Sequence, residues 1–261
     1  MSEPRIGYEA REGVATLTLD DPPVNGYSHE MMRALDDAIL AARFDDDVHV
    51  IVLTGAGDRF FCAGADINKL AAMSPSYKYQ FCLHANETLL RLEHTPKLVI
   101  AALNGHTVGG GLEIALACDL RVAKKDGGKL GLPEVALGVL PGTGGTQRLV
   151  RTVGKSRAIE MMVSGRNMSF EEAQDMGLVH EVLEGDFPVA AHGYARGFCP
   201  PGKAAMAVGL IKRSVQTGAE VPLESGLALE RELQARLFAS DDAGEGIGAY
   251  IEKRKPGFSG S

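Results

Sequence analysis

The sequence predicts an α/β protein with a helical C-terminal region, and three observations predict it. Short β-branched runs ending at Gly, Pro or Asp alternate with segments of helical apolar spacing. Strand-like runs nearly vanish after about residue 140, and from Pro200 onward every segment has helical character. The 261 residues, 45% of them hydrophobic, can bury a sizeable core as one large domain or a domain with an appendage.

"GVATLTLD" (13–20), "HVIVLTGAG" (49–57), "KLVIAALNG" (97–105) and "LRVAKK" (120–125) read as strands. Met32, Leu35, Ile39 and Ala42 recur at helical spacing between the first two, and Phe81, Leu89 and Leu92 do so more loosely before the third. "VGKS" (153–156) resembles the end of a P-loop, but Leu149 stands where its first glycine is needed, so it reads as a helix start. Ser169 and Glu172 in "SFEEAQ" have capping-box spacing and open another helix, while "LVHEVL" (178–183) is one last short strand. Three helical segments follow: "PPGKAAMAVGLIKRSV", "PLESGLALERELQARLF" and "AGEGIGAYIEKRK". A boundary at Cys199-Pro200-Pro201 divides residues 1–199 from 200–261.

Several function classes are disfavoured by composition. A net charge of −7 and a pI near 5.5 give no basic field for a nucleic-acid backbone. Cys62, Cys82, Cys118 and Cys199 show no CxxC pairing, so no zinc site or disulfide framework is expected and a reducing compartment fits best. The N-terminal "MSEPRIGYEAREG" lacks an apolar h-region, and the longest apolar stretch, residues 98–117, is interrupted by Asn104, His106, glycines and Glu113. A cytoplasmic protein without a membrane span is expected. "GTGGTQ" (142–147) and "GGGLEI" (109–114) both miss dinucleotide spacing, and GxSxG and HExxH are missing. No metal is assigned.

Two glycine-then-carboxylate arrangements remain. Gly109, Gly110 and Gly111 lead into "LEIALACDL", a helix start whose free N–H groups and positive dipole end favour a developing negative charge. "FFCAGADI" (60–67) follows a strand with a second small-residue turn, and two N–H donors from separate loops would form an oxyanion hole. Glu113, in the first arrangement, and Glu134, in "LGLPEVALGVLPGTGG", are lone charges among apolar residues. Burial and like-charge proximity would raise at least one of their pKa values toward neutrality, which suits general acid–base chemistry. The bland alternative is a dipole partner at Glu113 and a solvated loop at Glu134.

"FCAGAD", "NGHTVGGGLEIALACDLRVA", "LGLPEVALGVLPGTGGTQRL" and "YIEKRKPGF" resemble the crotonase superfamily, most closely its enoyl-CoA hydratases, nearly end to end. The resemblance implies a spiral ββα core over residues 1–199 and a C-terminal helical trimerisation region over 200–261. It also implies a homohexamer built as a dimer of trimers. The implied substrate is an acyl-CoA thioester, with no cofactor beyond the CoA it carries. Carried over by residue, the oxyanion N–H groups fall on Ala65 and Gly110 and the hydratase carboxylates on Glu113 and Glu134. Ala63, Asp66 and Ile67 match the segment lining the CoA site, and Lys253, Lys255 and Phe258 match a tail that reaches a neighbouring site. The implied reaction adds water across the 2,3 double bond of an enoyl-CoA, as in fatty-acid β-oxidation, with Glu134 as main proton donor and Glu113 orienting water. Isomerisation between Δ3 and Δ2 esters, which by the same resemblance keeps only the second acid, is the competing reaction, and an RNA-binding homologue is the competing non-enzymatic role. Two departures stand out. The Glu113-to-Glu134 interval is one residue longer than in the hydratases, a difference the Gly127-Gly128 loop can absorb, and Gly26-Tyr27 replaces a small apolar pair, with Tyr27 read as a packing residue.

Overall fold

Two sheets of unequal size organise the chain in this computed structural model, which describes residues 5–260. Strands β1 (Arg5–Arg11) and β2 (Val14–Asp20) form an antiparallel hairpin across Glu12-Gly13, both at the positive φ that a two-residue hairpin turn requires. Helix α1 (His29–Phe44) leads to β3 (Val50–Gly55) and β4 (Phe60–Cys62), and α2 (Ile67–Ala72) and α3 (Pro75–His94) lead to β5 (Leu98–Leu103) and β6 (His106–Val108). Helix α4 (Gly110–Leu116) then precedes β7 (Leu120–Lys124) and β8 (Lys129–Gly131), which a 3-10 turn at Glu134–Leu137 follows. Next come α5 (Gly145–Val153), α6 (Lys155–Ser164), β9 (Met168–Ser169), α7 (Phe170–Asp175), β10 (Glu181–Leu183) and α8 (Phe187–Arg196). Helices α9 (Ala205–Gly218), α10 (Leu223–Phe238) and α11 (Asp241–Glu252) complete the chain as a helical C-terminal region.

The large sheet has the order β1-β2-β3-β5-β7-β10 and is parallel from β2 onward. The small sheet has the order β4-β6-β8-β9, with only β9 antiparallel. Each of β3, β5 and β7 thus hands the chain to a short strand of the other sheet before a helix returns it, giving repeated ββα turns.

The large sheet is covered on both faces, which is why its strands read as continuous apolar runs and β5 is buried at every position. Leu17, Leu53 and Leu103 face Met32, Leu35 and Ile39 of α1 and Leu89 and Leu92 of α3 in one core. Val14, Val52 and Ile100 face Phe187, Ala191 and Ala195 of α8 in the other. The helical periodicities therefore mark buried stripes, the Ser169–Glu172 capping box is present with both of its hydrogen bonds, and residue 155 opens a helix.

Three differences from the sequence reading have local causes. Strand β1 carries almost no buried residue, so it lacks an apolar pattern to read. The strand expected over 178–183 begins only at Glu181, because the Leu178 carbonyl accepts from the Arg121 side chain and the His180 ring from the Arg121 amide. The strands of the small sheet are two or three residues long, too short for any periodicity to register.

Buried cations fasten this frame. Arg121 donates to the Ala115 and Cys118 carbonyls at the C-terminal end of α4, supplying partners and positive charge where the helix needs both. Lys212 on α9 lies 2.8 Å from the Asp119 carboxylate and donates to the Leu92 and Lys97 carbonyls, and Asp119 accepts from the Val99 amide. Lys212 is buried and Asp119 nearly so, and the pair ties the C-terminal helices to β5 and β7. Lys212→Met strands Asp119 without its cation and is expected to cost about 3 kcal/mol or more of unfolding free energy, with part recovered in Lys212→Met/Asp119→Asn. Urea denaturation of the two variants checks both statements.

Candidate active site

Strands β4, β6 and β8 lie side by side and parallel, so the turns that follow them emerge at the same edge of the small sheet. Ala65 follows the first, Gly110 the second and Glu134 the third. The Gly109 amide donates to the Gly131 carbonyl at 2.9 Å, closing the second turn on the end of β8. Gly64 and Gly109 both have positive φ, and the turns approach so closely that a β-carbon at Gly64 would stand 3.0 Å from the Val108 carbonyl oxygen. One at Gly109 would stand 3.0 Å from Glu134 Oε1. The Ala65 and Gly110 amides are thereby brought to one place, and neither donates to any described residue. Gly110 is the first residue of α4, where an unused N–H and the positive end of the dipole coincide.

Glu113 sits on the first turn of α4 and is 3% exposed. Its Oε1 accepts from the Thr143 and Gly145 amides at 2.7 and 2.8 Å, and its Oε2 accepts from the Thr143 hydroxyl. Three of roughly four acceptor sites on the carboxylate are therefore held, leaving one for a small donor. The clamp is itself fixed. Arg148 on α5 donates to the Thr143 carbonyl and forms a two-point ion pair with Glu93 of α3.

Glu134 has the opposite surroundings. It is half-buried at the start of its 3-10 turn, and its Oε2 is buried without a hydrogen-bond partner among the described residues. Burial pushes its carboxyl up to about 7, the Glu113 charge adds to the rise, and its own backbone amide and Lys78 on α3 partly offset it. A carboxyl in that range can both give and take a proton at neutral pH.

The four residues read as catalytic thus share one site. The solvated-loop reading of Glu134 does not hold, and the dipole position of Glu113 accompanies a built clamp. Ala63 donates its amide to the Val24 carbonyl at 3.1 Å, Asp66 caps α2 through the Asn68 amide, and Ile67 opens that helix with its side chain mostly exposed. Lys253 and Lys255 are exposed, and Phe258 packs against Gly246 of α11 with its amide on the Pro201 carbonyl. That tail therefore lies among the C-terminal helices of its own chain rather than beside Glu113 and Glu134. The segment from Lys124 to Lys129, between the two acids in sequence, is a tight turn closed by the Gly127 amide on the Lys124 carbonyl. Tyr27 is buried as a packing residue; burial and the Glu113 charge hold its phenol well above the usual value.

Thr143, Gly145 and Arg148 were not singled out from the sequence. The signal was "GTGGTQ", a glycine turn at a helix start suited to an anion. The anion proves to be a side chain of the same protein, Glu113.

Comparisons with known proteins agree with this architecture. The family model described as Enoyl-CoA hydratase/isomerase matches residues 9–261. The 2,3-dehydroadipyl-CoA hydratase of Escherichia coli K12 is 38% identical over 270 residues, covering 100% of both chains. The short-chain-enoyl-CoA hydratase of Clostridium acetobutylicum is 37% identical over 249 residues, covering 94% of each. An enoyl-CoA hydratase crystal structure from Geobacillus kaustophilus superposes with a TM-score of 0.95 at 43% identity, covering 100% of this chain and 98% of that one. One from Bacillus anthracis gives 0.90 at 33%, covering 100% of both.

The raised Glu134 carboxyl has a consequence for stability. The folded protein holds a proton there that the unfolded chain, near the ordinary 4.5, has released, so stability falls as pH rises through the window from about 4.5 to about 7. Glu134→Gln removes this penalty. The variant is expected to match the wild type near pH 5 and to exceed it near pH 8 in the urea midpoint of unfolding; a constant difference at both pH values would contradict the shift.

Proposed function

The chain belongs to the enoyl-CoA hydratase/isomerase family, and from that premise and the geometry of its site we propose that it is an enoyl-CoA hydratase, adding water reversibly across the 2,3 double bond of an enoyl-CoA thioester. The observation that carries the reading is the pairing of unlike glutamates beside two free amides. Glu113 is clamped with one acceptor position open, and Glu134 is unpartnered with its carboxyl near 7.

In this reading the Ala65 and Gly110 amides hold the thioester oxygen and stabilise the enolate that forms as oxygen adds at C3. Glu113 orients the water and takes one of its protons, while Glu134 delivers a proton to C2. Proton transfer between the acids then restores both, and the sum is one water added. The thioester is the electron sink, so the reaction calls for no metal or redox group beyond the CoA of the substrate. Ala63, Asp66, Ile67, Lys253, Lys255 and Phe258 are proposed for the CoA portion, the last three through a neighbouring subunit.

Assembly as a hexamer, a dimer of trimers held by residues 200–261, is part of the same proposal. It is supported by apolar side chains that α9, α10 and α11 expose, among them Ile211, Val215, Leu223, Phe238 and Ile251. Among the described residues no helix is long and apolar enough to cross a membrane. A cytoplasmic location accords with four unpaired cysteines.

The reading is tested with a panel of enoyl-CoA thioesters, following the loss of enoyl absorbance. Glu113→Gln and Glu134→Gln keep shape but remove the titratable proton, so each is expected to lower turnover by about 10²–10⁴ while thioester binding persists. The double variant should lose less than the product of the two, because both acids serve one water. An isomerase using one acid would tolerate Glu113→Gln and fail with Glu134→Gln. Near wild-type hydration by both single variants refutes the mechanism.

The oxyanion hole has its own test. Gly110→Pro removes the N–H and also sets a β-carbon against the Tyr27 ring, so turnover should fall about 10²-fold or more; a folded variant with normal turnover refutes Gly110 as a donor.

A further inference from the structure

Tyr27 lies on the segment between β2 and α1, outside the glycine turns and outside the acids, yet it touches both amide-bearing turns. Its own amide donates to the Gly64 carbonyl at 2.9 Å, on the residue just before Ala65. Its ring lies against Gly110: a β-carbon there would stand 2.6 to 2.9 Å from three ring carbons, so the ring occupies the space that any other residue at 110 would need. The ring is held from behind by Phe81 of α3, edge to face with centroids 5.5 Å apart. The segment is strapped down in front of it, since the Asn25 side chain donates to the Ala56 and Phe60 carbonyls and the Ala63 amide to the Val24 carbonyl. One residue is therefore joined by its backbone to the first turn and by its ring to the second.

We propose that Tyr27 is a positioning residue that sets the spacing of the Ala65 and Gly110 amides, and so the strength with which they polarise a thioester carbonyl. The proposal rests on the acyl-CoA reading of the site. An oxyanion hole depends on donors fixed before the reaction, and displacement by about 1 Å costs on the order of 10²-fold in rate. A ring clamped by Phe81 is stiffer than an aliphatic chain of similar length. The hydroxyl plays no part in this role: it is buried on the side of Thr143 and Glu113, whereas the two amide-bearing turns are reached by the backbone and the ring. Tyr27→Phe deletes that hydroxyl and keeps the ring with its contacts to Gly110 and Phe81.

That separation makes Tyr27→Phe and Tyr27→Leu a discriminating pair. The readouts are the infrared carbonyl stretch of bound butyryl-CoA labelled at the thioester carbon, the kcat and KM of enoyl-CoA hydration, and the thermal midpoint. Butyryl-CoA is saturated and does not react, so its stretch reports the two amides independently of hydration. The wild type is expected to lower the stretch relative to free butyryl-CoA. Tyr27→Phe should keep that shift, and Tyr27→Leu should lose most of it, with kcat down about tenfold or more and KM within about threefold. Should Tyr27→Leu fail to fold, Tyr27→Met, also ringless, carries the same comparison. A ringless variant that keeps the wild-type stretch overturns the proposal, even if its thermal midpoint falls, because that is the result of packing alone. A wild type that leaves the stretch unshifted refutes the acyl-CoA reading and the proposal with it. A Tyr27-dependent shift in a wild type that does not hydrate supports the role of Tyr27 and refutes only the hydratase assignment.

Discussion

The parallel pairing of three very short strands, β4, β6 and β8, is the constraint on which the site depends. Parallel neighbours lie roughly 4.8 Å apart and end at the same edge. Three turns distant in sequence, carrying Ala65, Gly110 and Glu134, are therefore adjacent in space without further design. The pairing is tight enough to dictate residue type. Positive φ at Gly64 and Gly109, and a Tyr27 ring where a β-carbon of Gly110 would go, leave no room for side chains at the turns. The large sheet and its helices serve mainly to hold this edge still. Arg121 caps the far end of α4, and the Arg148–Glu93 pair holds the Thr143 loop against its near end.

In the proposed reaction the same residue type takes two roles, and the surroundings of the two glutamates differ accordingly. Glu113 meets three donors and a helix dipole, so it is fixed in direction and suited to accept. Glu134 meets an apolar turn with no partner for Oε2 and a negative neighbour, so its proton is held into the neutral range. The two carboxylates differ in the second loop each touches: Thr143 to Gly145 for Glu113, Gly109 for Glu134.

Legibility from the sequence followed element length and exposure. Strands β2, β3, β5 and β7 are five to seven residues long and buried in the core, so their β-branched runs were readable, as was the apolar stripe of α1. The small sheet left no pattern, because three residues span less than two periods of a strand. Yet that sheet assembles the site. The acids and glycines were nameable as lone charges and turns, but their proximity was not, and the Thr143 clamp was hidden because its anion is internal. The match to a known family supplied what periodicity could not.

Buried polar atoms in a folded protein are nearly always paired. Glu134 Oε2 is buried without a partner among the described residues. A turn selected for stability alone would place a glutamine or an apolar side chain at position 134, since an unpaired buried carboxylate oxygen weakens the fold. Retaining it there makes sense if the missing partner arrives with the reactant, for a carboxyl already engaged has no lone pair or proton to offer. The unsatisfied atom and the raised pKa are then two expressions of one arrangement, in which the site is left incomplete by the amount that the reacting molecule supplies.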